Sequence, residues 1–326
     1  MKGIGKNIYK VLGFGISIIC LYFAFRGIEW IQVAVTFRKA NFFWLILSIL
    51  FQLLSLAIAG FRWKTVINLP EVSWASASAS MMVGLMVNNI LPGRMGEFVR
   101  PILLGQEIKR SKAFLFATVV IDRISDLLVL LILGLLSFGM FPFIPWARQM
   151  SIVGGWVLVL GLLVIGIFSY SNVGLKIEKI ICQYCSTRFY ERITHFLQKL
   201  RLGFRSFQSI QRGAAVFGLS WLVWAAWFLC LYYALNAFKL ILPIWGVILL
   251  LSTLNLGGLV PSSPGYAGTY HLLAILVLSN FAIKKEEALG FILVFHALWY
   301  VPQTLLGLII LIKKNLSLGQ LLKSEK

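Results

Sequence analysis

Acidic side chains are scarce in this sequence. Its 326 residues include 11 Asp and Glu against 30 Lys and Arg, and charged residues make up 13% of the chain. Soluble domains carry about 25% charged residues, so a soluble globular fold is excluded. The net charge of +19 would suggest nucleic acid in a soluble protein. In a membrane protein the same excess comes from loops that face the anionic inner leaflet, and we therefore expect no nucleic-acid partner.

Metal-binding and catalytic motifs are also missing. Of the four cysteines, only Cys182 and Cys185 lie close together, and no second pair completes a tetrahedral zinc site with His195. The Walker, Gly-x-Ser-x-Gly, His-Glu-x-x-His and Gly-x-Gly-x-x-Gly patterns are absent. We therefore expect no metal, no cofactor and no ATP hydrolysis by this chain.

Apolar residues are abundant, at 60% of the chain, and they fall in long runs. Runs of about 18 to 25 apolar residues can cross the ~30 Å hydrocarbon core of a bilayer. Uninterrupted runs lie at about 8–25, 42–61, 151–169, 213–236 and 290–312. Interrupted runs lie at 74–91, 113–141 and 241–283. The sequence predicts an all-α, polytopic helical membrane protein, a single domain over 1–326 with about 7–9 membrane segments.

Basic residues in the short loops predict the orientation. Lys6 and Lys10 precede or begin the first run, Arg62 ends the second, and Lys313 and Lys314 follow the last. Because cytoplasmic loops carry an excess of Lys and Arg, we expect both termini in the cytoplasm and the protein in the cytoplasmic membrane.

The segment 170–212 is the only long polar stretch. Its apolar residues, among them Ile193, Phe196, Leu197 and Leu200, recur at helical spacing between basic residues. This pattern predicts an amphipathic cytoplasmic loop that lies on the inner leaflet. A helical loop packed on the protein's own bundle explains the periodicity equally well.

The first interrupted run ends at a predicted helix break. Pro92 removes a backbone donor, and Gly93 and Gly96 permit turns that other residues resist. A second half-helix is expected to begin near Gly96, and the free N–H groups of its first turn are expected to form an anion site.

Polar and charged residues surround this break. Asn88 and Asn89, which are also candidate head-group ligands, precede it, and Arg94, Glu97 and Arg100 follow within and just after the turn. Glu97 and Arg100 share one face of the expected half-helix. Arg94 and Arg100 suit a phosphate, which guanidinium groups grip with two parallel hydrogen bonds. The alternative is a cytoplasmic turn with solvated charges.

The second interrupted run carries Asp122, Arg123 and Asp126. On a helix Asp122 and Asp126 share a face, and Arg123 is rotated by about 100° from Asp122. Unpaired charges inside a membrane are costly, so these residues are expected to pair with each other or with the first motif. A structural salt-bridge network is the alternative to substrate contact, and the two can coexist.

The third interrupted run repeats the Pro-Gly-x-x-Gly pattern of 92–96. Its turn residues are Pro261, Pro264, Gly265 and Gly268. Loop charges place the ends of 74–112 on the cytoplasmic side and those of 241–283 on the outer side. The sequence therefore predicts two broken or re-entrant hairpins, an inverted repeat and a central polar cavity. Two unrelated Pro-Gly turns are the alternative.

His271 begins the half-helix that follows the third motif. It is a candidate titratable group, or a donor to a phosphate. The alternative is a hydrogen-bonded structural histidine.

Together these motifs resemble the flippase-like family, also called the lysylphosphatidylglycerol synthase transmembrane-region family, over essentially the whole chain. The resemblance implies movement of an aminoacylated phospholipid, as in the membrane part of multiple-peptide-resistance proteins, or of a polyisoprenoid-phosphate carrier. Relatives often carry an acidic residue at the position of His271, so a charge-based role does not carry over to it. The soluble aminoacyltransferase domain of bifunctional relatives is not expected, since the sequence stops at Lys326.

The leading prediction is an integral membrane lipid translocase for a phosphate-bearing lipid. The phosphate would be bound by the three arginines, Arg94, Arg100 and Arg123. The three acidic residues, Glu97, Asp122 and Asp126, would hold these arginines or bind a cationic head group. The rival is a phosphatidylglycerol lysyltransferase-type membrane enzyme or enzyme subunit, linked to antimicrobial peptide resistance, with an acidic residue as general base. A third option is a partner that recruits a separate transferase through 170–212. The sequence leaves the energy source open between an ion or proton gradient and none.

Overall fold

The computed structural model describes residues 4–91, 94–141, 144–146, 148–150, 152–156, 159–160, 209–258 and 262–316, with side chains from residue 15 onward. Its longer helices are α1 (Ile4–Phe25), α2 (Trp30–Arg38), α3 (Phe42–Ile67), α4 (Trp74–Ile90), α5 (Gly96–Glu107), α6 (Lys112–Met140), α7 (Ile210–Ala237), α8 (Ile244–Gly257), α9 (Thr269–Leu278) and α10 (Lys285–Lys313). Two 3-10 turns, Pro264–Tyr266 and Ser279–Phe281, flank α9. This part of the chain contains no β-strand, so the all-α prediction is confirmed.

Several predictions fall outside these residues. The run at 151–169 and the loop at 170–212 lie mostly outside them, and Pro92, Gly93 and Pro261 lie wholly outside. The other predicted apolar runs coincide with α1, α3, α4, α6, α7, α8 with α9, and α10.

Three of the described helices, α3, α7 and α10, are long and apolar enough to cross a membrane. The C-terminal part of α1, Gly15–Phe25, meets α2 at 85°. If this part of α1 and the whole of α2 count as one bent span, there are four crossings. Gly27 lies in this bend at φ 72°, in a backbone region that favours glycine. The 29 residues of α10 extend about 43 Å, more than the ~30 Å of a hydrocarbon core.

Helices α3 and α7 form an antiparallel pair held by small polar side chains. The Ser48 hydroxyl donates to the Cys230 carbonyl at 2.8 Å, and two helical turns further along, the Ser55 hydroxyl donates to the Val223 carbonyl at 3.1 Å. Small side chains let the two backbones come close, and each hydroxyl finds an acceptor where water is absent.

Helices α4 and α5 form a first hairpin. Their backbones touch at Gly84 and Gly96, where a Cβ on Gly96 would collide with the Gly84 carbonyl. At the base of the hairpin the Ser76 hydroxyl donates to Glu107 at 2.6 Å. Glu107 also pairs with Lys314, so this base lies at the C-terminal end of α10.

Helices α8 and α9 form a second hairpin. Gly257 packs against Leu273 near its tip, and Gly246 packs against the ring of Phe281 at its base. Because Phe281 lies four residues before the start of α10, the bases of the two hairpins are at opposite ends of that helix.

The tips of the two hairpins meet in the interior. Helix α4 packs against the turn Pro264–Tyr266. The space where Gly265 would carry a side chain is filled by the ring of Tyr300, with the Asn89 carbonyl beside it. Gly265 has φ 67°, so glycine suits both the conformation and the close approach.

The contact between Gly84 and Gly96 gives a first prediction. Gly96→Ala is expected to destabilise the protein by about 1–3 kcal/mol, because the added methyl group must push the two backbones apart. Gly218→Ala on α7, where a Cβ meets no atom within 4 Å, is the matched control and is expected to be neutral or stabilising. Thermal unfolding in detergent micelles measures both, and equal midpoints for the two variants would contradict this packing.

Candidate functional site

Six charged side chains come together where α3, α5 and α6 pack. The set, here called the charged cluster, consists of Arg62, Glu97, Arg100, Asp122, Arg123 and Asp126. Five of these residues were predicted from the sequence to pair with one another, and Arg62 is the addition.

Asp122 lies at the centre of the charged cluster and is fully buried. Its carboxylate accepts hydrogen bonds from Arg62 Nε at 2.9 Å, Arg100 Nη2 at 2.7 Å and Arg123 Nη2 at 3.2 Å. Three cations on one carboxylate explain how a charge in the middle of α6 is tolerated without water.

Arg62 was interpreted from the sequence as a loop charge, and that interpretation is wrong. Helix α3 continues to Ile67, and the Arg62 side chain is completely buried. Its guanidinium grips Asp126 with two bonds of 2.5 and 2.9 Å, and also donates to the Ser220 hydroxyl at 3.0 Å. No sequence signal required Arg62, because the predicted set already held three arginines and three acids. Arg94 contacts Gly258 instead, and Arg62 supplies the third cation.

Arg100 is also held inside the protein. It is 2% exposed, and its guanidinium lies 4.0 Å from the centre of the Trp63 ring. A cation over an indole face is stabilised by the ring quadrupole. The Trp63 Nε1–H donates to Thr118 at 3.1 Å, which fixes the ring in place. Arg100 therefore has little freedom to move toward a ligand.

The charged cluster is looser at one edge. Glu97 approaches Arg123 Nε at 3.7 Å and Arg100 Nη1 at 3.8 Å, which are ion-pair distances too long for good hydrogen bonds. The Arg123 side chain is 38% exposed, whereas those of Arg62 and Asp122 are not exposed at all. Arg123, with Glu97 at 19% and Asp126 at 18% exposure beside it, is the most accessible part of the charged cluster.

Three arginines face three carboxylates in the charged cluster, so its formal charge is zero. Buried charges are stable only when each has a partner, and removing one partner typically costs about 3–5 kcal/mol. The charged cluster therefore fixes how α3, α5 and α6 pack, whatever else it does.

The predicted anion site at the start of α5 is not free, so that prediction is wrong. The Gly96 N–H donates to Asn88 Oδ1 at 2.7 Å, and the next N–H, of Glu97, donates to the Arg94 carbonyl at 3.1 Å. The two that follow, those of Phe98 and Val99, both donate to the Met95 carbonyl. The first turn thus has its hydrogen bonds satisfied within the protein.

Asn88 and Asn89 both have structural contacts. The Asn88 amide closes the break, because besides accepting from Gly96 it donates to Glu97 at 3.3 Å. The Asn89 side-chain amide donates to Thr304 on α10 at 2.9 Å, and the Asn89 backbone carbonyl accepts from the Tyr300 hydroxyl at 3.3 Å.

Arg94 lies apart from the charged cluster and connects the two hairpins instead. Its guanidinium donates to the Gly258 carbonyl at 2.6 Å and lies 5.9 Å from the centre of the Tyr266 ring. Arg94 is exposed and has φ 53°, an unusual backbone conformation for a side chain of its size. It therefore binds the tip of the second hairpin at the C-terminal end of α8.

The second hairpin places three of its predicted turn residues, Pro264, Gly265 and Gly268, just before the start of α9. Gly268 has φ 91° and lies against the Ser17 carbonyl of α1. The Ser263 N–H donates to the Ser17 hydroxyl at 2.7 Å. The Gly268 N–H donates to Nδ1 of His271 at 3.2 Å, so His271, in the first turn of α9, caps that helix.

No metal-binding group of three or more His, Cys, Asp or Glu side chains occurs in the part of the chain that the structure describes. The long apolar helices and the buried, self-neutralised charges define an integral helical membrane protein. The chain matches the model of the family described as lysylphosphatidylglycerol synthase TM region over residues 10–307, and it belongs to that family. The family resemblance found in the motifs is thereby confirmed.

The relatives of this chain are themselves described as membrane proteins. A UPF0104 membrane protein of Methanocaldococcus jannaschii is 27% identical over 295 residues, which cover 84% of this chain and 86% of the relative. A UPF0104 membrane protein of Methanothermobacter thermautotrophicus is 25% identical over 277 residues, covering 78% and 80%. No solved structure matches the chain.

The buried position of Asp122 gives a second prediction. Asp122→Asn is expected to destabilise the protein by about 3 kcal/mol or more, because it removes the charge that faces two buried arginines. Glu71→Gln, which removes an acid paired with the 55% exposed Arg110, is the matched control and is expected to change little. Denaturation in detergent compares them, and an equal effect of the two changes would argue against a stability role for the charged cluster.

Proposed function

We propose that this protein translocates a lipid with a phosphate-bearing head group across the cytoplasmic membrane. The observation that carries the proposal is the accessible edge of the charged cluster, where Arg123 is 38% exposed beside Glu97. Ionisable residues within the apolar segments of a helical membrane protein are rare and often mark a substrate pathway.

Arg123 is the residue best suited to contact the phosphate. Its contacts within the charged cluster measure 3.2 Å to Asp122, 3.5 Å to Asp126 and 3.7 Å to Glu97, so none of them is a tight bidentate pair. A phosphate can offer its guanidinium two parallel hydrogen bonds in their place. Arg100 is buried and stacked on Trp63, and its role in this proposal is to hold Asp122.

The zero formal charge of the charged cluster bears on the class of head group. A phosphate that takes over Arg123 leaves Glu97 with one fewer cation, and an ammonium group on the same lipid would restore the balance. An aminoacylated phospholipid carries both groups. A polyisoprenoid-phosphate carrier has only the phosphate and would need Glu97 to turn towards Arg100, 3.8 Å away.

The packing of the helices supports an inverted repeat. In the proposed repeat, α3 to α6 correspond to α7 to α10. Helix α4 packs on α10, and its counterpart α8 packs on α6. Helix α5 packs on α6, and its counterpart α9 packs on α10. Helix α3 packs on α4, and its counterpart α7 packs on α8. The pairs α4 with α5 and α8 with α9 are the two hairpins, and α3 packs with its counterpart α7.

Asparagines occupy equivalent places in the two halves. Asn88 lies two residues before the end of α4, and Asn255 lies two residues before the end of α8. The Pro-Gly-x-x-Gly pattern follows in both. Together with the opposite directions of the hairpins, these features support broken hairpins that meet near the midplane, as in many transporters.

In this arrangement the chain has about 7–9 membrane segments, with the hairpins as re-entrant pairs. The base of the first hairpin, where Glu107 meets Lys314, lies on the cytoplasmic side according to the positive-inside rule. Both termini then lie in the cytoplasm. A separate transferase would supply the modified head group, recruited through the loop at 170–212.

The exposure of Arg123 gives a third prediction. Arg123→Gln is expected to slow lipid reorientation about tenfold or more, since a phosphate loses its charge-assisted hydrogen bonds. Arg38→Gln, a change at an exposed arginine of α2, is the matched control and is expected to keep the rate. The assay follows head-group-labelled phosphatidylglycerol, its aminoacylated form and polyisoprenyl phosphate in proteoliposomes by chemical quenching of the outer leaflet.

The outcomes separate the proposal from its rivals. Equal rates for the Arg123→Gln variant and the unmodified protein would overturn the assignment of Arg123. A chemically altered lipid, formed by purified protein given an aminoacyl donor, would support the enzyme instead. The reorientation rates of the three probes rank the head groups.

A further inference from the structure

A chain of hydrogen bonds links the buried His271 to the half-buried His296 at the tip of the second hairpin. The Gly268 N–H donates to His271 Nδ1 at 3.2 Å, and His271 Nε2 lies 3.4 Å from His296 Nδ1. His271 belongs to α9 and His296 to α10, so the pair connects the half-helix to the long helix beside it.

The backbone donor determines where the protons lie. Because His271 Nδ1 accepts from Gly268, the neutral His271 ring carries its proton on Nε2. That proton is donated to His296 Nδ1, which leaves the proton of a neutral His296 ring on its buried Nε2. Both rings are thus held in the same tautomer, each with Nδ1 as an acceptor.

The surroundings of the pair are aromatic. The His296 ring stacks on Trp299 at 4.9 Å between centroids, and it lies 5.3 Å from Tyr270 and 5.7 Å from Tyr300. Within the described residues, neither imidazole forms an ion pair with a carboxylate, so the charge of an added proton has no counter-ion there.

Other titratable groups lie around this aromatic shell. Tyr266 in the 3-10 turn faces Trp299, and Arg94 lies over the Tyr266 ring. Cys230 of α7 lies within electrostatic range of Tyr270, and the Ser17 hydroxyl of α1 lies near the tip. None of these groups is a carboxylate that would neutralise an imidazolium.

An additional proton cannot enter this chain without breaking a contact. A proton on His271 Nδ1 would face the Gly268 N–H, and a proton on His296 Nδ1 would face the Nε2–H of His271. Either way a donor points at a donor, and the hydrogen bond is lost. Gly268, at φ 91°, is the residue that turns the chain into α9, so loss of its contact loosens the tip.

We propose that the His271–His296 pair is a proton-binding site that closes the tip of the second hairpin when neutral and releases it when protonated. This inference rests on the proposed function for its consequence, which is that protons drive or gate lipid movement. The proton site itself depends only on the contacts of the two rings.

The tautomers are directly measurable, because the chain has three histidines and only His195 lies outside the pair. Protein labelled with 15N-histidine, carrying His195→Gln and reconstituted in bilayers, is examined by solid-state NMR. Two neutral rings protonated on Nε2 are expected at about pH 8, and imidazolium is expected as the sample is acidified to about pH 3. A ring protonated on Nδ1 in the neutral state would overturn the proposal.

Accessibility of the tip tests the release. A cysteine is placed at Ser262 beside the tip, in protein whose native cysteines are replaced, and alkylation by a thiol reagent is compared with that of a cysteine at the exposed Ser73. The ratio of the two rates corrects for ionisation of the thiol. It is expected to rise about threefold between about pH 8 and pH 4, as one hydrogen bond is lost in the protonated fraction.

Variants that cannot bind the proton complete the test. The double variant His271→Asn with His296→Asn is expected to abolish the pH dependence of the ratio of alkylation rates. If the double variant does not fold, His296→Asn alone is used, because the asparagine keeps an acceptor for His271. An unchanged pH dependence would overturn the proposal. A pH-sensitive tip in protein that moves no lipid would overturn the proposed function and support the proton site.

Discussion

Electroneutrality of buried charge is the constraint on which the rest of this structure depends. Arg62, Arg100 and Arg123 face Asp122 and two other carboxylates in an interior that offers little water to any of them. Each ion pair joins two of the helices α3, α5 and α6 or lies along one of them, so packing and charge satisfaction become the same requirement. A helix that slipped by one turn would leave an unpaired charge, and this fixes the register of the bundle around its half-helix α5.

The broken backbone poses the second requirement, since a helix end inside a membrane protein exposes hydrogen-bonding groups. Asn88 meets it in the first hairpin by accepting from the Gly96 N–H, and His271 meets it in the second by accepting from Gly268. The two breaks are thus closed by different chemistry, an amide in one and an imidazole in the other. Only the imidazole can gain a proton at ordinary pH, and this difference is the basis of the proton site proposed for the second hairpin.

Much of the fold was predictable because helix formation and helix breaking are local. Apolar runs predicted most of the helices, and the proline and glycine patterns predicted the break within each of the two hairpins. The sequence also indicated that Glu97, Arg100 and Asp122 belong together, since isolated charges in apolar runs need partners. It misassigned Arg62 because a basic residue near the end of an apolar run looks like a loop charge until the length of α3 is known. It overestimated the anion site at α5 because the fold brings Asn88 back onto the first turn.

The sequence by itself determined the class of molecule, the positions of its helices and the set of scarce charges, because composition, periodicity and backbone propensity act over a few residues. Only the tertiary structure decided which charges pair, which guanidinium remains accessible and which histidines touch. Arg94 and Arg100 are six residues apart, yet one contacts Gly258 in the other hairpin and the other is buried against Asp122. Their separation follows from how the two hairpins pack, and such packing joins residues more than a hundred positions apart in the chain.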